Sequence, residues 1–529
     1  MRDLQMPGRS PVYATNGMAA TSHPLSSQAA LDVLKVGGNA LDAAICACSV
    51  QCVVEPGSTG IGGDNFCLYA PGGSSRMVAY NGSGRAPGGA AVERLTALGV
   101  GKIERTSPHA VTVPGAVDAW CRLNDDHGTI PLKELLQPAI DLARQGYPVS
   151  PRVHADWQSN ANHLASNDTL SAIFLPGGTV PALGSLHHQP GLADALEMIG
   201  REGRAVLYEG ELAEEMVACL QSHGGLHKMS DFATARGEYV EPITTEFGGS
   251  MVHECPPNGQ GAIALLLLNM FAHGPTDDPL SEERIHFELE ACRLAYGMRD
   301  RHLADPAQQR VDVASLINPA FAKQLVSRID PNRATPSPDL PPLTPHRDTV
   351  TISVIDKDRN ACSFINTLFW GWGSGITTPK HGIVLTNRGE GFVMEPGHPN
   401  CIAPGKRPLH TIIPGMVSQQ DRVTMSFGVM GGEYQAMGHA QFLSRMADFG
   451  CDIQEAQDMP RWMVDPFDGT VEIERGVSAD TIESLRQRGH KIDIATRPIG
   501  GSQAIAIDWN NGVLIGGSDP RKDGCAAGY

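Results

Sequence analysis

Apolar residues at helical spacing open the chain. Leu31 and Leu34, with the alanines around them, make one apolar face that Gly37-Gly38 brings to a stop. Asn39 is placed to cap a second helix, on which Leu41, Ala44, Ile45, Cys48 and Cys52 recur at the same spacing. Glu55-Pro56-Gly57 ends that helix, and a glycine-rich turn running to Asp64 leads into a strand over 66–70. The same reading predicts helices over 132–145, 191–202, 211–222 and 279–298, with further helices near 435–449 and 478–488. Two stretches break the pattern. Residues 159–183 are largely polar around a Pro-Gly-Gly turn and read as surface. Residues 330–348 carry prolines at 331, 336, 338, 341, 342 and 345, which prevents regular helix and favours an extended connector.

After the connector the period changes from helical to two. Residues 350–355 alternate as a strand, 357–360 form a turn, and 361–366 return as the partner. Strands are also predicted over 382–386, 411–417, 423–428, 504–508 and 513–516. No internal repeat is visible.

Composition narrows the function. At 529 residues, 41% of them hydrophobic, the chain can bury a large core. Length alone suggests two to four domains. Forty-one basic against 58 acidic side chains give a formal net charge of −17. Nucleic acid and anionic membrane are therefore not expected as partners, since both need a basic face. No apolar run is long enough for a secretory leader or a spanning helix. Twelve cysteines lie scattered, several within apolar stretches, which fits reduced thiols and a cytoplasmic protein.

The chemistry begins at the Asp348-Thr349 boundary. A cut before Thr349 would free an α-amine beside that residue's own hydroxyl at the start of a strand. An ordinary α-amine titrates at about 7.7–8.0, so it can take the hydroxyl proton at neutral pH without a separate histidine. Gly431-Gly432 follows a predicted strand and offers backbone N–H groups unobstructed by side chains, as an oxyanion hole requires; an ordinary tight turn is the plainer interpretation. Rival motifs fail. Gly60-Ile61-Gly62 lacks the third glycine and the following helix of a dinucleotide site, and there is no G-x-S-x-G elbow or Walker loop. His223 and His227 have helical spacing, but Gly224-Gly225 between them undermines a zinc site. No cofactor or metal is expected.

Over nearly its whole length the sequence resembles the gamma-glutamyltransferase family. The matches run from Gly17-Met18-Ala19-Ala20-Thr21 through Gly37–Ala44, Val54-Glu55-Pro56, Gly60–Gly63, Val113-Pro114-Gly115, Pro256-Pro257, Lys406–Leu409 and Gly431-Gly432 to Ser518-Asp519-Pro520-Arg521 and the final Ala527-Gly528-Tyr529. The resemblance implies an α+β Ntn-hydrolase fold, an αββα sandwich of two stacked antiparallel sheets between helical layers. It implies self-cleavage into a large subunit, residues 1–348, and a small subunit, residues 349–529, which together form one compact unit and can pair as a dimer of heterodimers. The family's nucleophile falls on Thr349, the threonine that orients it on Thr367, and the oxyanion glycines on Gly431 and Gly432.

The departures bear on substrate. The family's segment that holds a glutamyl α-amine reads Asn387-Arg388-Gly389-Glu390-Gly391-Phe392 here, so Gly391 stands where an aspartate is expected. Arg388 takes the place of a polar amide or acid. Phe369 replaces an asparagine, with Trp370 and Trp372 near it to fill the space of a glutamyl chain, and His410-Thr411 replaces paired serines. Arg85 is the counterpart of the family's carboxylate-binding arginine, and the lid stretch between Pro399 and Lys406 is about ten residues shorter than in lidded members. Losing an acid and gaining an arginine turns a site for an ammonium into one for an anion. The expected substrate is thus a short anionic amide, a description oxamate fits; the sequence looks similar to the oxamate amidohydrolase branch of the family, and that resemblance implies hydrolysis of oxamate to oxalate and ammonia in purine catabolism. Glutathione hydrolysis or glutamyl transfer in an atypical site, an acylase, and an uncleaved binding protein are the alternatives.

Overall fold

The computed structural model describes residues 8–336, 349–465 and 468–529. Among these residues two seven-stranded antiparallel sheets form the centre. One runs, in spatial order, through Val12–Ala14, Val513–Ser518, Gly501–Asp508, Arg422–Met430, Pro414–Gln419, Ser250–Glu254 and Ile243–Phe247. The other runs through Cys525–Gly528, Met18–Thr21, Val350–Ile355, Ala361–Thr367, Asp64–Ala70, Val78–Gly82 and Glu238–Val240. Each of these two sheets draws strands from both sides of the proline-rich connector, so neither side builds either of them alone.

Side-chain alternation explains how the sheets stack. In Val350–Ile355, Ile352 and Val354 belong to the helix-covered core, whereas Ile355 packs between the sheets with Phe66, Leu68, Ile365, Met416 and Ile505. The inward row is otherwise small and polar. Ser353 Oγ donates to Gln503 O at 3.3 Å, Ser363 Oγ to Phe427 O at 2.8 Å, and Ser426 Oγ to Cys362 O at 2.9 Å. These hydroxyls satisfy carbonyls of the facing sheet, and they let the layers approach closely at this end. A Cβ on Gly428 would collide with Thr351 Oγ1.

Helices cover both outer faces. Pro24–Lys35, Ala40–Val54, Leu132–Gln145 and Pro190–Glu202 pack on one, and Gly261–Phe271, Glu282–His302 and Gln435–Ala447 on the other. Asn39 caps Ala40–Val54 as expected: its side chain accepts from Leu41 N and Asp42 N while Asp42 reaches back to Asn39 N, closing a capping box.

Three local readings change. The helix expected from 279 begins at Glu282, because Ser281 caps it by accepting from Arg284 N. Residues 382–386 form no strand and make only an isolated bridge, Thr377 to Val384. Within 159–183, Leu164, Leu170 and Phe174 are buried with Trp157 and Trp372, so this stretch is a small satellite core and not a surface loop. The twelve cysteines are free, and no described helix is long and apolar enough to cross a membrane.

Candidate active site

Thr349 opens the strand Val350–Ile355 and is completely buried. Its Oγ1 lies 3.4 Å from Thr367 Oγ1 and 3.4 Å from Gln435 Nε2, which donates to it. Strand register creates the first contact: Val350 pairs with Asn366, so Thr349 and Thr367 fall side by side at the same sheet end. The Thr367 hydroxyl is itself held, because Phe369 N donates to it at 2.9 Å. Gln435, the first residue of Gln435–Ala447, is fixed by its carbonyl end, which accepts from Ile413 N at 3.2 Å.

The diglycine turn lies between the strand Arg422–Met430 and that helix. Gly431 has φ +129° and Gly432 φ +58°, conformations that L side chains rarely adopt. A Cβ on Gly431 would also come within 2.8 Å of Gly500 Cα. The turn is fastened from behind. Gly432 O accepts from Gln260 Nε2 at 3.2 Å, and the same nitrogen donates to Thr411 O at 2.8 Å. Arg299 donates to Gln260 Oε1 at 3.2 Å and pairs with Glu433, whose carbonyl accepts from the Tyr296 hydroxyl.

Arg388 starts a short 3-10 turn, Arg388–Gly391, and is 1% exposed. Its Nη2 donates to Thr411 Oγ1 at 3.1 Å, its guanidinium carbon lies 3.6 Å from the centre of the Phe369 ring, and its Nε has no hydrogen-bond partner. No carboxylate among the described residues reaches ion-pair distance. Burial pulls its pKa down to about 9, although Asp64, Glu433 and Glu390 act from further off to raise it. Phe369 has φ +80°, a strained backbone for an aromatic residue, and its ring forms the face on which the guanidinium lies. Trp372 does not join them; its ring packs on Trp157 at 5.6 Å and Phe174 at 5.9 Å. Beside Arg388, burial raises the Glu390 carboxyl to about 7, and Asn387 Nδ2 donates to it at 3.0 Å.

Both ring nitrogens of His410 are occupied by protein. Nδ1 accepts from Ile412 N at 3.3 Å, which leaves the proton on Nε2, 3.0 Å from Asp64 Oδ2. Burial and the nearby Arg388 push its pKa down to about 4. His410 thus ties the 410–411 segment to Asp64, the residue that pairs with Thr367. Arg85 donates to Asp305 at 3.4 Å and to Gly405 O at 3.1 Å, and its side chain is 36% exposed. Asp348 lies outside the described residues.

Thr349, Thr367, Gly431, Gly432, Arg388, Phe369, His410 and Thr411 therefore gather into one connected region. Sequence reading missed Gln435, Gln260, Asp64 and Asn400. Asn400 bridges the two arms of the Arg388 region, donating to Gly391 O at 2.6 Å and accepting from Leu409 N at 3.0 Å. Only Gln435 carried a local signal, as a polar residue opening a helix directly after the diglycine turn.

Two antiparallel sheets stacked between helical layers, with a threonine opening an inner strand, define an Ntn-hydrolase. The gamma-glutamyltranspeptidase family model matches residues 26–529, and the chain belongs to that family. It is 36% identical to the glutathione hydrolase-like YwrD proenzyme of Bacillus subtilis, over 98% of this chain and 99% of that one. It is 32% identical to the oxamate amidohydrolase proenzyme of Klebsiella pneumoniae, again over 98% and 99%. A cephalosporin acylase from Bacillus halodurans superposes with a TM-score of 0.92 at 37% identity, covering 100% of this chain and 99% of that one. The chain is thus a hydrolytic enzyme of this family.

Proposed function

We propose that the protein is an autoprocessed N-terminal threonine amidohydrolase acting on a small anionic amide, with oxamate the favoured substrate. The observation that carries this reading is Arg388, a guanidinium buried without a carboxylate partner. An uncompensated buried charge is costly, and a substrate carboxylate in that position would neutralise it. Thr411 and the Phe369 ring hold the guanidinium where such a carboxylate would dock.

In this account cleavage at Asp348-Thr349 yields large and small chains, 1–348 and 349–529. Thr349 Oγ1 attacks the amide carbon and its own α-amine takes the hydroxyl proton. The N–H groups of Gly431 and Gly432 bind the oxyanion. The amine returns the proton to the departing ammonia, and water then hydrolyses the acyl-threonine ester. Thr367 and Gln435 fix the rotamer of the attacking hydroxyl. Arg85, held by Asp305, belongs to an outer position in this scheme.

A second reading, glutathione hydrolysis, is supported by the YwrD relative and by Glu390, whose carboxyl stands one residue from the position where the family holds a glutamyl amine. A panel of oxamate, glutathione and glutamine with processed enzyme separates the two. Ammonia released from oxamate alone supports the first reading; glutamate released from glutathione, with oxamate inert, refutes it.

A further inference from the structure

Lys522 is 3% exposed, and its Nζ has no hydrogen-bond partner among the described residues. A buried ammonium without a partner is as unusual as Arg388, and the scheme above does not use it. Its position follows from register. Gly428 lies against Thr351 across the gap between the sheets, and Gly428 pairs with Gln503. Two residues further on the same inward faces, Thr349 stands on one sheet and the Met430–Gly501 pair on the other. The Lys522 stem occupies that level: a Cβ on Gly501 would come within 2.9 Å of Lys522 Cγ and 3.2 Å of Cε.

A second group converges from the other sheet. Strand Met18–Thr21 runs antiparallel to Val350–Ile355 with Ala20 opposite Ser353, so Ser22 comes level with the first residues of the Thr349 strand. Ser22 Oγ donates to Glu55 Oε2 at 2.5 Å, and Gln51 Nε2 donates to the same oxygen at 3.0 Å. Glu55 is 4% exposed; burial raises its carboxyl above the ordinary range, while Lys522, beyond ion-pair distance, and the Ser22 hydroxyl act to lower it. Gln51 Oε1 is buried and without a partner. Thr349 is thus flanked by Thr367 on one neighbouring strand and by Glu55 and Lys522 on the side of the other.

We infer that Lys522 is a positioning residue of the threonine site, its ammonium facing the α-nitrogen of Thr349 and holding the freed α-amine in its neutral, basic form. A like charge nearby disfavours protonation of an amine, so Lys522 tunes the base that the scheme assigns to Thr349; the inference rests on that reading. Other titratable groups surround Lys522 and Glu55, His23 among them neutral because burial pushes its pKa down to about 4. His23, Asp523, Asp156 and Arg152 lie on the Glu55 side, joined through Arg152–Asp156 and the Asp523 contacts to Arg152 N and Val153 N. Asp64, Arg388 and the Arg299–Glu433 pair lie on the diglycine side, and Asp519, paired with Arg461 and Arg521, and Glu474, paired with Arg521, lie behind Lys522, whose N donates to Asp519 O at 3.2 Å. None of these changes in the variants below.

The test is carbamylation of the Thr349 α-amine by cyanate as a function of pH, read by mass on the small chain of wild type, Lys522→Met and Lys522→Arg. Wild type should label with a midpoint below the ordinary α-amine range. Lys522→Met should move it up by about one pH unit, so that labelling at pH 6.5 slows roughly tenfold, and Lys522→Arg should restore it. An unmoved midpoint in Lys522→Met, or the same shift in both variants, overturns the inference. Should the methionine variant not fold, Lys522→Gln removes the same charge with a polar side chain: its midpoint should rise in the same way, and a midpoint that stays or falls is contrary. The small chain is first confirmed by mass to begin at Thr349. A different start defeats the scheme on which this rests, whereas a correct start with an unmoved midpoint defeats the role of Lys522 alone.

Discussion

The two ends of the site are built from opposite materials. The groups that touch the Thr349 hydroxyl are neutral, the Thr367 hydroxyl and the Gln435 amide, and the helix of Gln435 follows a diglycine turn whose backbone no side chain can replace. Around Arg388 they are large and charged, with a buried guanidinium against an aromatic face and a neutral histidine held by Asp64. The lesson is one of division. Backbone geometry fixes the end that resembles the rest of the family, and burial of charge sets the end that departs from it. Gln260 and Asp64 join the ends, the first by bonding both Gly432 O and Thr411 O, the second by pairing with Thr367 and holding His410.

Substitution at each end should give different signatures. Thr349→Ala is the most severe: a single band near the full 56.3 kDa on a denaturing gel and no turnover. Two normal bands would remove Thr349 from its role. Gly431→Ala should lower kcat by about 10²–10³, as for loss of one oxyanion donor, because the new methyl meets Gly500 Cα and φ +129° is strained for alanine. Unchanged kcat in processed protein would place the oxyanion elsewhere. Arg388→Met should act mainly on KM, cutting kcat/KM for an anionic amide by roughly 10–100-fold, the worth of one charged hydrogen bond. A pure kcat effect would contradict a binding role.

Smaller effects sharpen the contrast. Phe369→Asn relieves a left-handed backbone that asparagine tolerates and removes the ring beneath Arg388. The stability terms oppose each other, so Tm should change little while KM rises by about 3–10-fold. An unchanged KM would show that the ring does not organise the guanidinium. His410 gives a pH signature. Its folded pKa, about 4, lies below the ordinary histidine value, so the unfolded chain binds more protons between the two. Stability from the neutral ring is present above about pH 6.5 and is lost as pH falls toward 4. His410→Gln should flatten that part of the urea-midpoint profile against pH, and an equally steep profile would assign the acid sensitivity to other groups.

Local signals were legible in the sequence, and long-range ones were not. Asn39 capped its helix, 350–355 and 361–366 paired as a hairpin, and helices 132–145 and 211–222 kept their bounds, because each is decided by neighbours within a turn or two. The strand expected over 382–386 failed because Leu385 bonds Ser374 and Ile376 in a compact loop instead of a ladder. Residues 159–183 looked polar because only a few side chains, Leu164, Leu170 and Phe174, turn inward. At the site, Thr349, the diglycine and Arg388 stood out by residue type and resemblance. Gln260, Asn400 and Lys522 did not, since each matters through contacts from 9 to 172 positions away that only the folded chain creates.

The claim on which the rest depends is that the working chain begins at residue 349. Intact-mass and N-terminal sequencing of the purified, active protein tests it directly. The account predicts a small chain whose first residue is Thr349 and whose mass matches 349–529. Activity in an uncut chain, or a small chain that starts at any other residue, would contradict it.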